Sequence, residues 1–404
     1  MSVAAVPAGR RPWLFGEPDF RRLWFVGLVV FAVRWLEMLA VAVFVYQRTG
    51  SPFLVAAMTM LRALPMGLFG APIGAAAERF ERRSVLIGVV MTMLLSSLVL
   101  AVLAWAGLLQ NWHIAVASFV NGIGWATDNP VRRTMIGEAV GPDRMGAAMA
   151  VDVGANNASR MLGPILGGAL LETVGIVGAF ALSVIGYFIA TIAASRLRQR
   201  YGPRPSAPAS MLARMIDGFI LVGRDRRLVG VLVITVIYNL FGWPFTAMVP
   251  VIGQDNLHLG AAGVGVLASM DGVGAFAGAV AIGLYARQVH FARLYIGGAT
   301  AYLVILIGFA LTDQPVVAGT ALMLTGLAGA GFSTMQATLV YLAAPAEMRG
   351  RVFGVLSVCI GVGPIGFFHI GWLASLVGAP WATVITGVEG LLALALTWRW
   401  WRVL

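Results

Sequence analysis

The feature that most constrains this chain is a succession of long apolar runs separated by short polar breaks. A helix that crosses the hydrocarbon core of a bilayer needs about 20 predominantly apolar residues. Runs of that length fall at roughly 23–46, 52–77, 84–107, 113–136, 145–170, 174–195, 229–252, 260–285, 292–312, 316–343, 350–373 and 379–398. The sequence therefore predicts an all-α membrane protein with twelve transmembrane helices.

Charge is too scarce to cover a water-facing surface. Charged residues make up 11% of the 404 residues, whereas a soluble domain carries roughly 25%. The net charge of +11 comes from arginines clustered between apolar runs, and this placement disfavours nucleic-acid binding. Four scattered histidines and one cysteine give no metal-ligand spacing, and the sequence has neither a phosphate-binding loop nor a catalytic set of side chains. We therefore expect no cofactor, no metal, no nucleic-acid partner and no enzyme activity.

The arginines also predict the orientation of the chain. Loops that stay in the cytoplasm are enriched in basic residues. One set of loops contains nearly all of them, namely Arg10, Arg11, Arg21, Arg22, Arg79, Arg82, Arg83, Arg144, the 196–227 stretch, Arg287, Arg293, Arg349, Arg351, Arg399 and Arg402. The opposite loops hold Arg48 and otherwise acidic or amide side chains. We expect a multi-pass protein of a bacterial inner membrane with both termini in the cytoplasm.

The longest polar stretch divides the spans six and six. It predicts an N-terminal bundle over 1–195, a cytoplasmic linker over 196–228 and a C-terminal bundle over 229–404. Within the linker, the helical spacing over 211–221 favours a short amphipathic helix on the membrane surface, and a solvated linker is the alternative. The halves also repeat weakly, since Gly163-Pro164 has a counterpart in Gly363-Pro364. Chance similarity between glycine-rich helices is the competing interpretation.

A polar loop follows the second run and reads Gly74-Ala-Ala-Ala-Glu78-Arg79-Phe-Glu81-Arg82-Arg83. It resembles the loop motif of the major facilitator superfamily, with Glu78 in the position of the usual Asp. A glycine allows close helix approach, a carboxylate can accept hydrogen bonds from a helix N-terminus, and arginines can bind headgroups or acidic partners. The alternative is a basic membrane anchor with an incidental Glu.

A glycine-proline run in the fifth span strengthens this resemblance. Gly163, Pro164, Gly167 and Gly168 look like the fifth-helix motif associated with antiporters, and ordinary glycine packing is the alternative. The order of motifs resembles the branch that contains the enterobactin exporter and many bacterial drug–proton antiporters. The resemblance implies two six-helix bundles and secondary transport by alternating access, without enzyme chemistry.

Ionisable residues inside the spans are the candidate coupling residues, because charge at the membrane centre is costly. Glu37 and Arg62 lie at similar depths, and Arg34 lies one turn from Glu37. A pair between Glu37 and either arginine could respond to protons, with protonation freeing the arginine for an anionic substrate. A permanently satisfied ion pair is the alternative.

A second candidate set lies on the fifth span. Asp152, Asn156 and Arg160 follow i, i+4, i+8 spacing, so they share one helix face. Asp271 of the eighth span lies at a depth close to Arg160, and these two helices are neighbours in the superfamily. An Arg160–Asp271 bridge would be either a gate or a static interface pair.

Two further features complete the prediction of the site. Asp128 would be either a cytoplasmic gate or a partner for Arg132, and Trp35, Trp125 and Trp243 are candidates for lining a cavity. We expect a monomeric secondary transporter whose partners are the bilayer, protons and a small molecule. It would export amphipathic, drug-like or siderophore-like compounds against proton influx. The alternatives are an importer or facilitator, and an uncoupled sensor or lipid scramblase.

Overall fold

The computed structural model describes residues 13–198 and 211–404, without the side chains of 69–79, 211–215 and 346. Every regular element in these ranges is helical. The first half contains α1 (Pro18–Thr49), α2 (Pro52–Arg79), α3 (Arg82–Trp105), α4 (Asn111–Val140), α5 (Pro142–Thr173) and α6 (Ile176–Ser195). Proline opens α1, α2 and α5, where its missing N–H costs nothing.

The linker helix expected over 211–221 is present as α7 (Met211–Arg224). It packs against the start of the eleventh span, where the Arg351 guanidinium lies 3.2 Å from the Asp217 carboxylate. Residues 199–210, the other part of the predicted linker, lie outside the described residues.

The second half contains more, shorter helices. They are α8 (Arg226–Ile237), α9 (Val249–Asp255), α10 (Ala261–Tyr285), α11 (Phe291–Ala310), α12 (Pro315–Ala343), α13 (Arg349–Ile360), α14 (Gly363–Val377), α15 (Ala379–Leu396) and α16 (Trp398–Trp401). Short 3₁₀ turns cover Leu14–Gly16, Gln288–His290 and Ala346–Met348.

The seventh and eleventh spans are not the continuous helices that the hydropathy predicts. Between α8 and α9 the chain passes through a wide π turn (Tyr238–Gly242) and a tight 3₁₀ turn (Trp243–Ala247). The eleventh span is interrupted between α13 and α14, just before Pro364. Pro244 and Pro364 lack the N–H that an α-helix interior needs, so both interruptions have a local cause that average hydropathy does not register.

Nine segments of the described chain are long and apolar enough to cross a membrane. They include α8 through α9 as one segment and α13 through α14 as another. Three other helices, α2, α4 and α5, have comparable lengths of 28, 30 and 32 residues. Together they give the twelve membrane-length units that the sequence predicts.

The two halves contact each other along two pairs of helices. In one pair α5 packs on α10, and in the other α2 packs on α14. Within the halves, α1 packs on α5 and α10 packs on α12. The α10–α12 contact is the closest, because a Cβ added at Gly274 or Gly326 would overlap the backbone carbonyl of Met323 or Asp271.

We predict that Gly274→Ala lowers the thermal unfolding temperature of the detergent-solubilised protein, because overpacking a close contact costs about 1–3 kcal/mol. Gly297→Ala in α11 is the matched control, since nothing lies within 4 Å of its added Cβ. Tryptophan fluorescence on heating measures both variants. Equal unfolding temperatures would contradict the close α10–α12 contact.

Candidate functional site

A cavity of about 270 Å³ lies between the two halves at the centre of the protein. Its N-terminal wall comes from α1, α2, α4 and α5, and its C-terminal wall from the π and 3₁₀ turns, α12 and α13. The residues that line it are Arg34, Trp35, Met38, Thr59, Arg62, Ala63, Met66, Trp125, Asn156, Arg160, Tyr238, Asn239, Trp243, Gly329, Phe332, Ser333 and Ile360. All three tryptophans predicted to line a cavity are among them.

The cavity continues toward the face of the protein that carries the chain ends, here called the terminal face. A vestibule of about 380 Å³ shares Met66 and Trp125 with it. Pro130 and Ser357 on the vestibule wall are exposed. The path between the two halves is therefore open on the terminal side.

The opposite face is closed. Near the ends of α5 and α1, the Glu172 carboxylate accepts a hydrogen bond of 2.7 Å from the backbone N–H of Ala262, and Tyr46 donates one to Asp255. Gly168 lies against the backbone of Ala261 and Gly265, where an added Cβ would clash. A small chamber of about 60 Å³ lies between this seal and the cavity.

Glu37 lies behind the cavity wall, inside the N-terminal half. Its carboxylate accepts hydrogen bonds from the Ser97 hydroxyl (2.6 Å) and the Asn121 amide (3.3 Å), and it lies 3.5 Å from the Arg62 guanidinium. Glu37 is 1% exposed and Arg62 is 7% exposed. Of the two pairings considered from the sequence, the structure contains Glu37–Arg62. This pair connects a proton-accepting group to a side chain that lines the cavity.

Arg34 does not pair with Glu37. Its guanidinium donates a hydrogen bond of 2.8 Å to the Asn156 side-chain carbonyl. It also lies over the rings of Trp125, Phe31 and Trp35, at 4.9, 5.2 and 5.4 Å from their centroids. Such cation–π contacts stabilise a guanidinium that is removed from water.

Arg160 and Asp271 form an ion pair across the two halves. Arg160 lines both the central cavity and the small chamber beyond it, and Asp271 lines only the chamber. The pair therefore separates the open part of the path from the sealed part.

Asp128 and Asp152 belong to a buried charge cluster near the terminal side of the N-terminal half. Arg132, which is fully buried, contacts both carboxylates, at 3.5 Å in the case of Asp128. Arg133 lies 3.2 Å from Asp152, and Phe31 lies beneath Arg132, 4.8 Å from ring centroid to guanidinium. Asp128 is thus placed as a partner of Arg132, the second of the two roles considered for it.

The loop motif is described only in part. The side chains of Gly74, Glu78 and Arg79 lie outside the described residues. Arg82 makes a two-oxygen contact with the Glu138 carboxylate of α4 at 2.8 and 2.9 Å, and Arg83 donates to the Ser195 carbonyl at 2.6 Å. The two arginines therefore bind protein groups at the ends of α4 and α6.

The glycine-proline motif packs α5 between two helices. Gly163 and Gly167 lie against α1 around Leu36, whereas Gly168 faces α10. Pro164 does not interrupt α5, which remains helical through Thr173. In the second half, Gly366 lies against the backbone of Leu240 in the seventh span. The similar sequences around Pro164 and Pro364 thus pack the fifth span on the first and the eleventh span on the seventh.

Sequence reasoning missed several polar side chains of the site. Ser97 and Asn121 hold Glu37, but each occurs as one small polar residue within an apolar run, a pattern that many membrane helices show. Tyr238 and Phe332 stack with ring centroids 3.7 Å apart on the cavity wall. Glu389 of α15 lies 2.7 Å from His369 of α14, and neither residue lines the central cavity.

We predict that Arg132→Met sharply reduces the yield and the unfolding temperature of the protein. It leaves two buried carboxylates without their shared cation, and breaking a buried pair costs about 3–5 kcal/mol. Arg133→Met is the matched control, because its side chain is 41% exposed and Asp152 keeps its contact with Arg132 in this variant, so we expect a smaller loss. Similar losses in the two variants would contradict the central position of Arg132.

Known proteins resemble this chain over nearly its whole length. The profile of a family described as transmembrane secretion effector matches residues 14–402. Macrolide efflux protein A of Streptococcus pyogenes is 21% identical over 369 residues, which cover 89% of this chain and 90% of that protein.

Solved structures share the fold. A POT family transporter in complex with 5-aminolevulinic acid gives a TM-score of 0.77 at 13% identity and covers 96% of each chain. A bacterial homologue of the human lysosomal transporter Spinster, in an inward-facing and occupied conformation, gives 0.76 at 14% identity and covers 98% of each chain. These similarities confirm the predicted fold class. With the family match over residues 14–402, they establish that this chain belongs to the transmembrane secretion effector family of the major facilitator superfamily and is a multi-pass membrane transporter, not an enzyme.

Proposed function

We propose that this protein exports small amphipathic molecules by alternating access and takes the energy from proton influx. The observation that carries the proposal is a central cavity that is open on one face, sealed on the other and connected through Arg62 to the buried carboxylate Glu37. The efflux named for the macrolide relative supports export as the direction. The described state is then the one that loads substrate.

The distribution of arginine supports the orientation. The terminal face carries nearly all of the basic loops, so the positive-inside rule assigns it to the cytoplasm. The open vestibule then faces the cytoplasm of a bacterium, and the sealed side faces outward across the inner membrane. The proposed partners are the lipid bilayer, the substrate and protons, and the transporter works as a monomer.

Coupling is assigned to Glu37 and Arg62. When Glu37 is ionised, it holds Arg62 by charge. When a proton enters and binds the carboxylate, this attraction is lost and the Arg62 guanidinium is free to turn toward the cavity. Ser97 and Asn121 can hydrogen-bond either form of the carboxyl group, so protonation need not displace Glu37.

The Arg160–Asp271 pair is assigned to the gate. It lies at the boundary between the cavity and the sealed chamber, and its two residues come from the two halves. Separating the halves on the outer side breaks this pair, so it stabilises the inward-open state. The loop motif from Gly74 to Arg83, with Arg82 bound to Glu138, is proposed to stabilise the same state at the terminal face.

We predict that Glu37→Gln reduces substrate-dependent proton flux in proteoliposomes by roughly tenfold or more, because the amide cannot carry the proton. The probe is a catecholate siderophore, and a dye inside the vesicles reports pH. Glu389→Gln is the matched control, since its carboxylate lies in a membrane helix but pairs with His369 away from the cavity.

Two outcomes would contradict proton coupling. One is probe flux by Glu37→Gln that matches the wild-type flux. The other is wild-type flux that continues unchanged without a pH gradient, which would favour a facilitator.

We predict that Asp271→Asn increases labelling from the outer side at a cysteine in the small chamber. Thr246→Cys supplies that cysteine, because Thr246 lines the chamber, and Cys359→Ser removes the native thiol. A membrane-impermeant maleimide should react several-fold faster when the Arg160 ion pair is lost. If Asp271→Asn leaves the rate unchanged, the pair is a static contact.

A further inference from the structure

The charged side chains on the wall of the central cavity are all of one sign. Arg34, Arg62 and Arg160 line it, and no Asp or Glu is among the described residues that do. Two of the three arginines form ion pairs with carboxylates that do not line the cavity, Arg62 with Glu37 and Arg160 with Asp271. A positive charge in a cavity with apolar walls attracts anions and repels cations.

Arg34 carries the charge that remains. Within the described residues no carboxylate lies within the 4.0 Å of an ion pair from its guanidinium. Its one hydrogen-bond acceptor is the neutral Asn156 amide, and that oxygen also lies 3.4 Å from the Trp35 indole nitrogen. A guanidinium has five N–H donors, so most of them remain for a ligand.

The rings around Arg34 limit the shape of that ligand. Trp125 and Trp35 flank the guanidinium on the N-terminal wall. Across the cavity, Tyr238 and Phe332 are stacked, with an angle of 13° between their ring planes, and Trp243 lies beside them. Phe332 also stacks on Tyr295, and Tyr238 packs on Tyr302, so a ligand meets these two rings mainly at their edges. Edge-to-face contact with them favours an aromatic body, whereas the guanidinium favours a planar two-oxygen anion.

We propose that the central cavity binds planar aromatic anions and that Arg34 is the residue that binds their carboxylate. The ligand's anionic oxygens accept hydrogen bonds from Arg34, and its ring lies between the tryptophans of one wall and the Tyr238–Phe332 stack of the other. Cationic amines are excluded by the same charge. This proposal rests on the proposed transport function, because it takes the cavity as the substrate site.

The test uses three probes with one ring system and different charges: 2-naphthoate, 2-naphthamide and 2-naphthylmethylamine. Binding to the purified full-length protein is measured by isothermal titration calorimetry in nanodiscs of zwitterionic lipid. The carboxylate should bind about tenfold or more tightly than the amide, because a hydrogen bond to a charged group exceeds a neutral one by that much. The amine should bind most weakly.

Two variants test whether the preference for the carboxylate depends on Arg34. Arg34→Gln should bring the carboxylate and the amide to similar affinity, while Arg34→Lys should keep part of the preference because it keeps the charge. Arg293→Gln is the control, since Arg293 is exposed in α11 away from the central cavity, and it should retain wild-type selectivity. The wild-type comparison of the three probes needs no variant to fold.

Equal affinities for the three probes, tightest binding of the amine, no binding of the carboxylate, or a preference that Arg34→Gln leaves intact would each overturn the proposal. The measurement involves no proton gradient and no flux. A failure of proton coupling would therefore appear in the liposome experiments and leave the charge preference unaffected.

Discussion

The site depends on the contacts that the polar face of α5 makes with three other helices. Asp152, Asn156 and Arg160 follow one another along it, and each contacts a different helix: α4 through Arg132, α1 through Arg34 and α10 through Asp271. Polar and charged side chains inside a membrane are tolerated when they are paired or face a cavity. Each of these three side chains of α5 has such a partner. The helix consequently positions the cavity wall, the charge cluster and the boundary between the halves.

Both halves use close glycine contacts, but they differ in their other means of packing. The N-terminal half surrounds its cavity wall with ion pairs, including Arg132 with its two carboxylates and Glu37 with Arg62. The C-terminal half relies on glycine contacts between α10 and α12 and on two interrupted spans. Ion pairs specify partners, whereas π and 3₁₀ turns redirect side chains locally. The charged side chains on the cavity wall all come from the N-terminal half, whereas both halves contribute aromatic rings.

The sequence was sufficient for the fold class and for part of the site. Depth along the helices brought Glu37 and Arg62 to one level, and the superfamily resemblance brought Arg160 to Asp271. The sequence was not sufficient where a contact depends on how a helix is rotated about its own axis. The hydrogen bond between Arg34 and Asn156 could therefore not be predicted. The interruption of the seventh span was also missed, because hydropathy averages over the proline that causes it.

The seal on the face opposite the terminal face has a mechanical consequence. Besides its hydrogen bonds, it contains backbone packed against backbone, with Gly168 on Ala261 and Gly265 on the carbonyl of Pro164. No change of side-chain rotamer can separate this backbone contact, so opening it requires α5 and α10 to move apart. A bulky side chain at Gly168 or Gly265 would hold the two helices apart and prevent this face from closing.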